Sequence, residues 1–105
     1  MASLFIDFMG DSPVIRVIDC LLTEREIDFS ITDLAKNANI GRATLYRIWG
    51  TLIKSEIIVF TREIGKARLY KLNTKNSKVK KLIEIDDILL LESLNKIDKK
   101  MIIHS

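Results

Sequence analysis

The residues in this chain that can do chemistry are cations rather than nucleophiles. There is one cysteine, Cys20, and one histidine, His104, which stands next to the last residue. No histidine is paired with an acid, no nucleophile has a base close by in sequence, and no glycine-rich loop is present to cradle a phosphate, so nothing points to an enzyme or to a cofactor. One Cys and one His are also too few for a four-ligand structural metal site or a disulfide framework within one chain. What stands out is where the bases lie. From Arg42 to Lys81 there are eleven Lys or Arg against two acids, Glu56 and Glu63, a local excess of +9. The rest of the chain holds six bases against twelve acids, so the net charge of only +3 hides a basic middle between acidic ends. That distribution is expected of a polyanion-binding surface.

The basic block opens with Arg42, Thr44, Tyr46 and Arg47. These lie opposite Leu45, Ile48, Trp49 and Leu52, whose i, i+3, i+4, i+7 spacing is the buried stripe of an amphipathic helix. A helix that is polar, cationic and short-armed near its start suits a DNA major groove. On this reading Arg42 and Arg47 reach base edges, with guanine the expected base, and Thr44 and Tyr46 contact a thymine methyl or a phosphate. Lys54, Arg62, Lys66 and Arg68 are the expected phosphate contacts. Tyr46 has a rival reading as a packing residue beneath the first helix of the domain. Trp49 has a rival reading as a stacking platform, but its spacing with Leu45 and Leu52 assigns it to the core.

Several elements must hold that helix in place. Leu34, Ala35 and Ala38 share one face of a preceding helix, capped by Ser30 or Thr32 and favoured at its start by Asp33. Asn39, which tolerates a left-handed backbone, ends it and redirects the chain, and Ile40 points back into the angle. Upstream, Asp11-Ser12-Pro13 is a helix start, and Val14, Ile15, Val17, Ile18, Leu21 and Leu22 give an apolar face out to about Glu26. Cys20 falls within this helix and reads as a small buried thiol rather than a redox switch. Asp28-Phe29-Ser30 is a short extended link with Phe29 inward. After Ser55 the pattern changes to β-branched and aromatic residues, Ile57 to Thr61 and then Ala67 to Leu72. Glu63-Ile64-Gly65-Lys66 lies between them, so a β-hairpin is expected.

Residues 31–55 resemble the helix-turn-helix of winged-helix transcription regulators. Ala35 matches the small residue in the middle of the family's first helix, Asn39 the turn residue four positions later, and Leu45 and Ile48 the apolar pins of the second helix. Gly41 departs from the pattern, which commonly has Ser or Thr to cap the recognition helix. The segment TREIGKARLYKLN, Thr61 to Asn73, is similar to the wing of MarR- and ArsR-like archaeal and bacterial regulators. The resemblance implies a mainly α fold with a small β-sheet: a winged helix-turn-helix followed by a long C-terminal helix. It implies double-stranded DNA as partner and pairing of the 28–30 link with the wing. A metal-sensing repressor of the ArsR kind would need Cys or His clusters that this chain lacks. Winged helices also serve as protein–protein interaction modules without DNA binding, but such a module needs no +9 block.

The expected organisation is an N-terminal arm over 1–11, a DNA-binding domain over 12–73 and a dimerisation helix over 74–105. The arm is apolar at Leu4, Phe5, Ile6, Phe8 and Met9, and strand and helix are both open for it. After the break at Asn73-Thr74-Lys75-Asn76, Ser77 to about Ile103 reads as one long helix. Ile83, Leu90, Leu94, Ile97 and Met101 follow a roughly 3.5-residue repeat interrupted by Asp87, while Leu82, Ile85 and Leu89 lie toward another face. A helix apolar on two sides must bury both, so a homodimer through 77–103 is expected. The chain has no apolar run near the roughly 18 residues of a membrane span, and its start lacks the features of a secretory signal, so a cytoplasmic protein is expected. A small-molecule effector would find its place in an apolar cleft between the long helices and the domain, though its chemistry is unspecified.

Overall fold

The structure, a computed structural model, describes residues 3–104 in backbone and residues 3–96 in side chains. The element order is α1 (Leu4–Met9), α2 (Pro13–Thr23), α3 (Ile31–Asn37), α4 (Arg42–Lys54), β1 (Ile58–Ile64), β2 (Ala67–Leu72) and α5 (Ser77–His104). The arm is therefore helical, and it is anchored: Phe5 is 1% exposed, and Ser3 caps α1 through Ile6 N–H while its hydroxyl donates to Asp19 of α2. Ser12 caps α2, with Pro13 in its first turn, and Ser30 rather than Thr32 caps α3. Each serine oxygen satisfies a backbone N–H that the first helical turn leaves open.

Both helices of the helix-turn-helix end in the same way. After α3, Asn39 takes φ +57°, its N–H bonds to the Lys36 carbonyl and Ile40 N–H bonds to the Ala35 carbonyl. After α4, Glu56 takes φ +57°, its N–H bonds to the Ile53 carbonyl and Ile57 N–H bonds to the Leu52 carbonyl. This pair of bonds around a left-handed residue is the Schellman stop, which satisfies the last carbonyls and turns the chain sharply. Asn39 was legible as a stop in sequence. Glu56 was not, since glutamate, unlike Asn or Asp, is an uncommon left-handed residue. Asn76 donates to the Ser55 and Glu56 carbonyls, and Asn73 to Glu56, so the break before α5 also secures the end of α4.

The wing is a two-stranded antiparallel hairpin in which Ile58 pairs with Leu72 and Ile64 with Ala67. β1 runs further than the sequence pattern indicates, so the turn shrinks from four residues to Gly65-Lys66. Only Gly65 has positive φ there, +60°, as a two-residue loop with glycine first requires. The register slips between Phe60 and Arg62, leaving Thr61 as an extra residue on β1. Phe29 forms a bridge with Tyr70, its N–H to the Tyr70 carbonyl at 2.7 Å and the reverse at 2.8 Å, so the link after α2 does pair with the wing.

The core joins every element: Val17, Leu21, Leu34, Leu45, Leu52, Leu72 and Val79 are all essentially inaccessible. Val79 lies in α5, and Leu82, Ile83 and Leu89 pack against the same cluster. The winged-helix core thus continues past residue 73 into the first turns of α5. This redraws the expected faces of that helix. Ile83 was placed on the seam with Leu90 and Leu94, and helical periodicity does put them on one side. Yet Ile83 covers its own domain, whereas Leu90 and Leu94 stand outside the core cluster and are about half exposed, together with Ile88 and Leu91. Asp87, which breaks the seam, is held with Asp86 by Arg25 at the end of α2, at 2.8 and 3.2 Å. The seam positions Ile97 and Met101, with Ile102 and His104, lie outside the described side chains. No helix among the described residues is long and apolar enough to cross a membrane.

Candidate nucleic-acid interface

The geometry of α4 is fixed from behind. Leu45 and Leu52 are fully buried, Ile48 and Trp49 are half-buried, and Trp49 meets Tyr70 of the wing edge to face at 4.9 Å between ring centroids. Tyr70 in turn meets Phe60 at 5.8 Å, so one aromatic chain ties the helix to the hairpin. Trp49 is accordingly a packing residue. Gly41 occupies the N-cap and offers no side-chain oxygen, leaving the first N–H groups of α4 without that partner. The start of the helix is instead steadied from the turn. Arg16 of α2 forms a two-pronged pair with Asp11, at 2.7 and 2.9 Å, and donates at 3.0 Å to the Asn39 carbonyl. The Arg16 bond holds the Asp11 carboxyl below the usual carboxylate range.

The outer face of α4 presents Arg42, Ala43, Tyr46, Arg47, Gly50, Ile53 and Lys54 to solvent. Tyr46 is 52% exposed, which rules out the packing role considered for it, and its hydroxyl accepts from Arg42 at 3.2 Å. The Arg42 guanidinium also lies 5.7 Å from the Tyr46 ring centroid, so the two side chains form one cation–aromatic unit. Arg47 and Lys54 make no hydrogen bond or ion pair among the described residues. Thr44 is half-buried and faces the start of α2, sharing a shallow depression with Pro13, Arg16 and Ile40. Two positions of the outer face were not singled out from sequence. Ala43 and Gly50 are small and exposed, so they keep the helix narrow where a duplex would approach; their helical phase with Arg47 was the available signal.

On the wing the expected contacts differ from one another. Lys66 sits at the tip, exposed. Arg68 lies over the Phe60 ring at 4.4 Å and donates to the Tyr70 hydroxyl at 3.2 Å, with Glu63 at 3.8 Å. Arg62 is paired with Asp28, its Nε to Oδ2 at 3.0 Å and a terminal nitrogen to Oδ1 at 3.4 Å. Sequence spacing could not reveal these partners, because Asp28 and Tyr70 reach the wing arginines only through the fold.

A buried helix pair with a sharp turn, an exposed cationic second helix and a basic hairpin packed on its end together define a winged helix-turn-helix. Solved structures agree. The fold matches NadR in complex with 4-hydroxyphenylacetate at TM-score 0.63 and 19% identity over 95% of this chain and 72% of that one. It matches MepR, a regulator of the Staphylococcus aureus multidrug efflux pump MepA, at 0.62 and 14% identity over 94% and 77% of the two chains. It also matches Lactococcus lactis ZitR in complex with DNA at 0.57 and 17% identity, over 81% of this chain but only 60% of ZitR. A further structure of ZitR describes it as a zinc-responsive MarR family member. The chain therefore has the winged-helix fold found in MarR-type transcription regulators. No protein-family profile matches the sequence, and neither does any curated protein.

Proposed function

We propose that this chain is a dimeric, sequence-specific DNA-binding transcription regulator. The observation that carries the reading is the outer face of α4, where Arg47 stands without an internal partner among the described residues beside the Arg42–Tyr46 unit, next to a basic wing. Residues 12–73 serve as the DNA-binding unit, with α4 in the major groove and Lys66 on flanking phosphate. Arg42 and Arg47 read base edges, and Tyr46 contacts a thymine methyl or phosphate. Thr44, Lys54, Arg62 and Arg68 contribute to the backbone grip, Thr44 from the side of the groove nearer α2. The exposed leucines of α5, supported by Leu4 and Phe8 of α1, dock on a second copy of the chain. Two-fold symmetry then sets the two recognition helices about 34 Å apart or a multiple of that, and the operator is a near-palindrome. The solved complex of ZitR with DNA supports this reading through the shared fold.

The place considered for an effector, between α1, α2 and α5, is a cleft of about 590 Å³ whose rim carries Asp19, Glu24, Arg25, Asp86 and Asp87. Its lining combines the apolar Leu4, Phe5, Leu22, Ile27 and Leu90 with those charged side chains. No group of three or more potential metal ligands occurs among the described residues. The test of the proposal is selection of bound fragments from a random duplex pool. Enriched fragments with two inverted half-sites about one helical turn apart support it. Recovery of unenriched sequence removes specific recognition, and failure to retain any duplex removes DNA binding.

A further inference from the structure

Asp28 lies on the link between α2 and α3, away from the recognition helix, and no reading of the basic surface uses an acid there. Its carboxylate nevertheless gathers the wing. It accepts from the Thr61 hydroxyl at 2.7 Å, from Arg62 Nε at 3.0 Å and from an Arg62 terminal nitrogen at 3.4 Å. Thr61 is the residue inserted at the register slip, so the carboxylate binds the wing where its own ladder is interrupted. The next residue, Phe29, makes the reciprocal bridge to Tyr70, which gives Asp28 a fixed base. The side chain of Asp28 is 19% exposed and that of Arg62 62%, so the carboxylate sits under the hairpin and the guanidinium projects from it. Two of the five N–H groups of Arg62 are used by Asp28 and the other three carry no partner among the described residues. The bonds from Arg62 and Thr61 hold the Asp28 carboxyl below the ordinary carboxylate range, so it stays ionised at neutral pH.

We infer that Asp28 is a positioning residue for DNA binding, which fixes the wing at the Thr61 slip and aims the outer edge of the Arg62 guanidinium at a phosphate. A planar guanidinium held along one edge offers its other edge in a set orientation, so less freedom is lost when the phosphate binds. The inference rests on the proposed function. It also makes a prediction opposite in sign to bare electrostatics, under which removing a negative charge beside a polyanion tightens binding.

The experiment measures duplex binding by fluorescence anisotropy over a series of KCl concentrations for wild type, Asp28→Asn, Asp28→Ala, Arg62→Ala and the Asp28→Ala/Arg62→Ala double variant, with thermal melts on each. Asp28→Ala is expected to weaken binding at least fivefold despite the added net positive charge, with Asp28→Asn between it and wild type. Arg62→Ala should lower the salt slope by about 0.9 per chain, about 1.8 for the dimer, and Asp28→Ala should lower it in the same direction. In the Arg62→Ala background the loss of Asp28 should have little further effect on the slope. If Asp28→Asn or Asp28→Ala binds as tightly as wild type or tighter, or steepens the slope, Asp28 masks Arg62 rather than aiming it and the inference is overturned. Should Asp28→Ala fail to fold, the near-isosteric Asp28→Asn decides the sign alone. Wild type that shows no salt-dependent duplex binding overturns the DNA reading itself, a result distinct from either sign.

Discussion

Glutamate at both Leu91 and Leu94 should separate the proposed dimer without unfolding the chain. Ile88, Leu90, Leu91 and Leu94 are between 49% and 59% exposed in the single chain. Full burial of such a side chain contributes about 1.5–3 kcal/mol, so covering the remaining half recovers about 1 kcal/mol each. Four residues on each of two copies then supply about 8 kcal/mol before the cost of association. Two Leu→Glu changes per chain remove about half of that, which corresponds to roughly a thousandfold weaker association. The new carboxylates would also face each other across the two-fold axis and near Asp87. Sedimentation velocity over roughly 1–100 µM, where a thousandfold difference in association is resolved, should show a wild-type dimer and a variant monomer. Far-ultraviolet circular dichroism should be little changed, because neither leucine belongs to the core. A wild type that stays monomeric over the whole range, or a variant that stays dimeric, would refute the assignment of this surface.

Arg47→Ala should cost about 1–3 kcal/mol on the selected operator and relax one base preference, whereas Lys66→Ala should weaken all duplexes alike; quantitative competition assays on cognate and scrambled sites separate the two. Leu45→Ala should cost about 2–5 kcal/mol of stability, as expected for a fully buried leucine, and a urea titration measures it. Burial pushes the Cys20 thiol up to about 11, so at pH 8 it should be almost entirely protonated and react with a thiol reagent roughly a hundredfold more slowly than a free cysteine. Urea should abolish that protection, and rapid labelling of the native chain would contradict the placement.

Much of the fold was legible because local signals agreed with one another. Ser12-Pro13, Ser30 and Asn39 mark helix ends by their own chemistry, and the Leu45, Ile48, Leu52 stripe fixes which side of α4 faces out. Gly65 locates the hairpin turn. What was not legible depends on approach through space. Nothing in the spacing of Glu56 indicates a left-handed stop, since Asn73 and Asn76 secure it from across the fold. The partial cover of Thr44 by Pro13 and Arg16 likewise arises only through the fold. The extent of the core was missed for a similar reason. Val79 and Ile83 look like any other member of a long apolar helix, and only the position of α5 against α1 and the core distinguishes covered residues from exposed ones. On the candidate site, sequence identified cations but not their partners. Arg62 and Arg68 therefore read as equivalent to Lys66, although one is held by Asp28 and the other lies on Phe60.

Duplex binding as a function of salt tests the central claim most directly. If α4 and the wing form a phosphate-contacting surface, the logarithm of the association constant should fall linearly with the logarithm of salt concentration. The slope should be about 0.9 per phosphate contacted, and several units in all for a dimer. Binding that is absent, or present but indifferent to salt, would contradict the account and leave the exposed face of α4 without its proposed role.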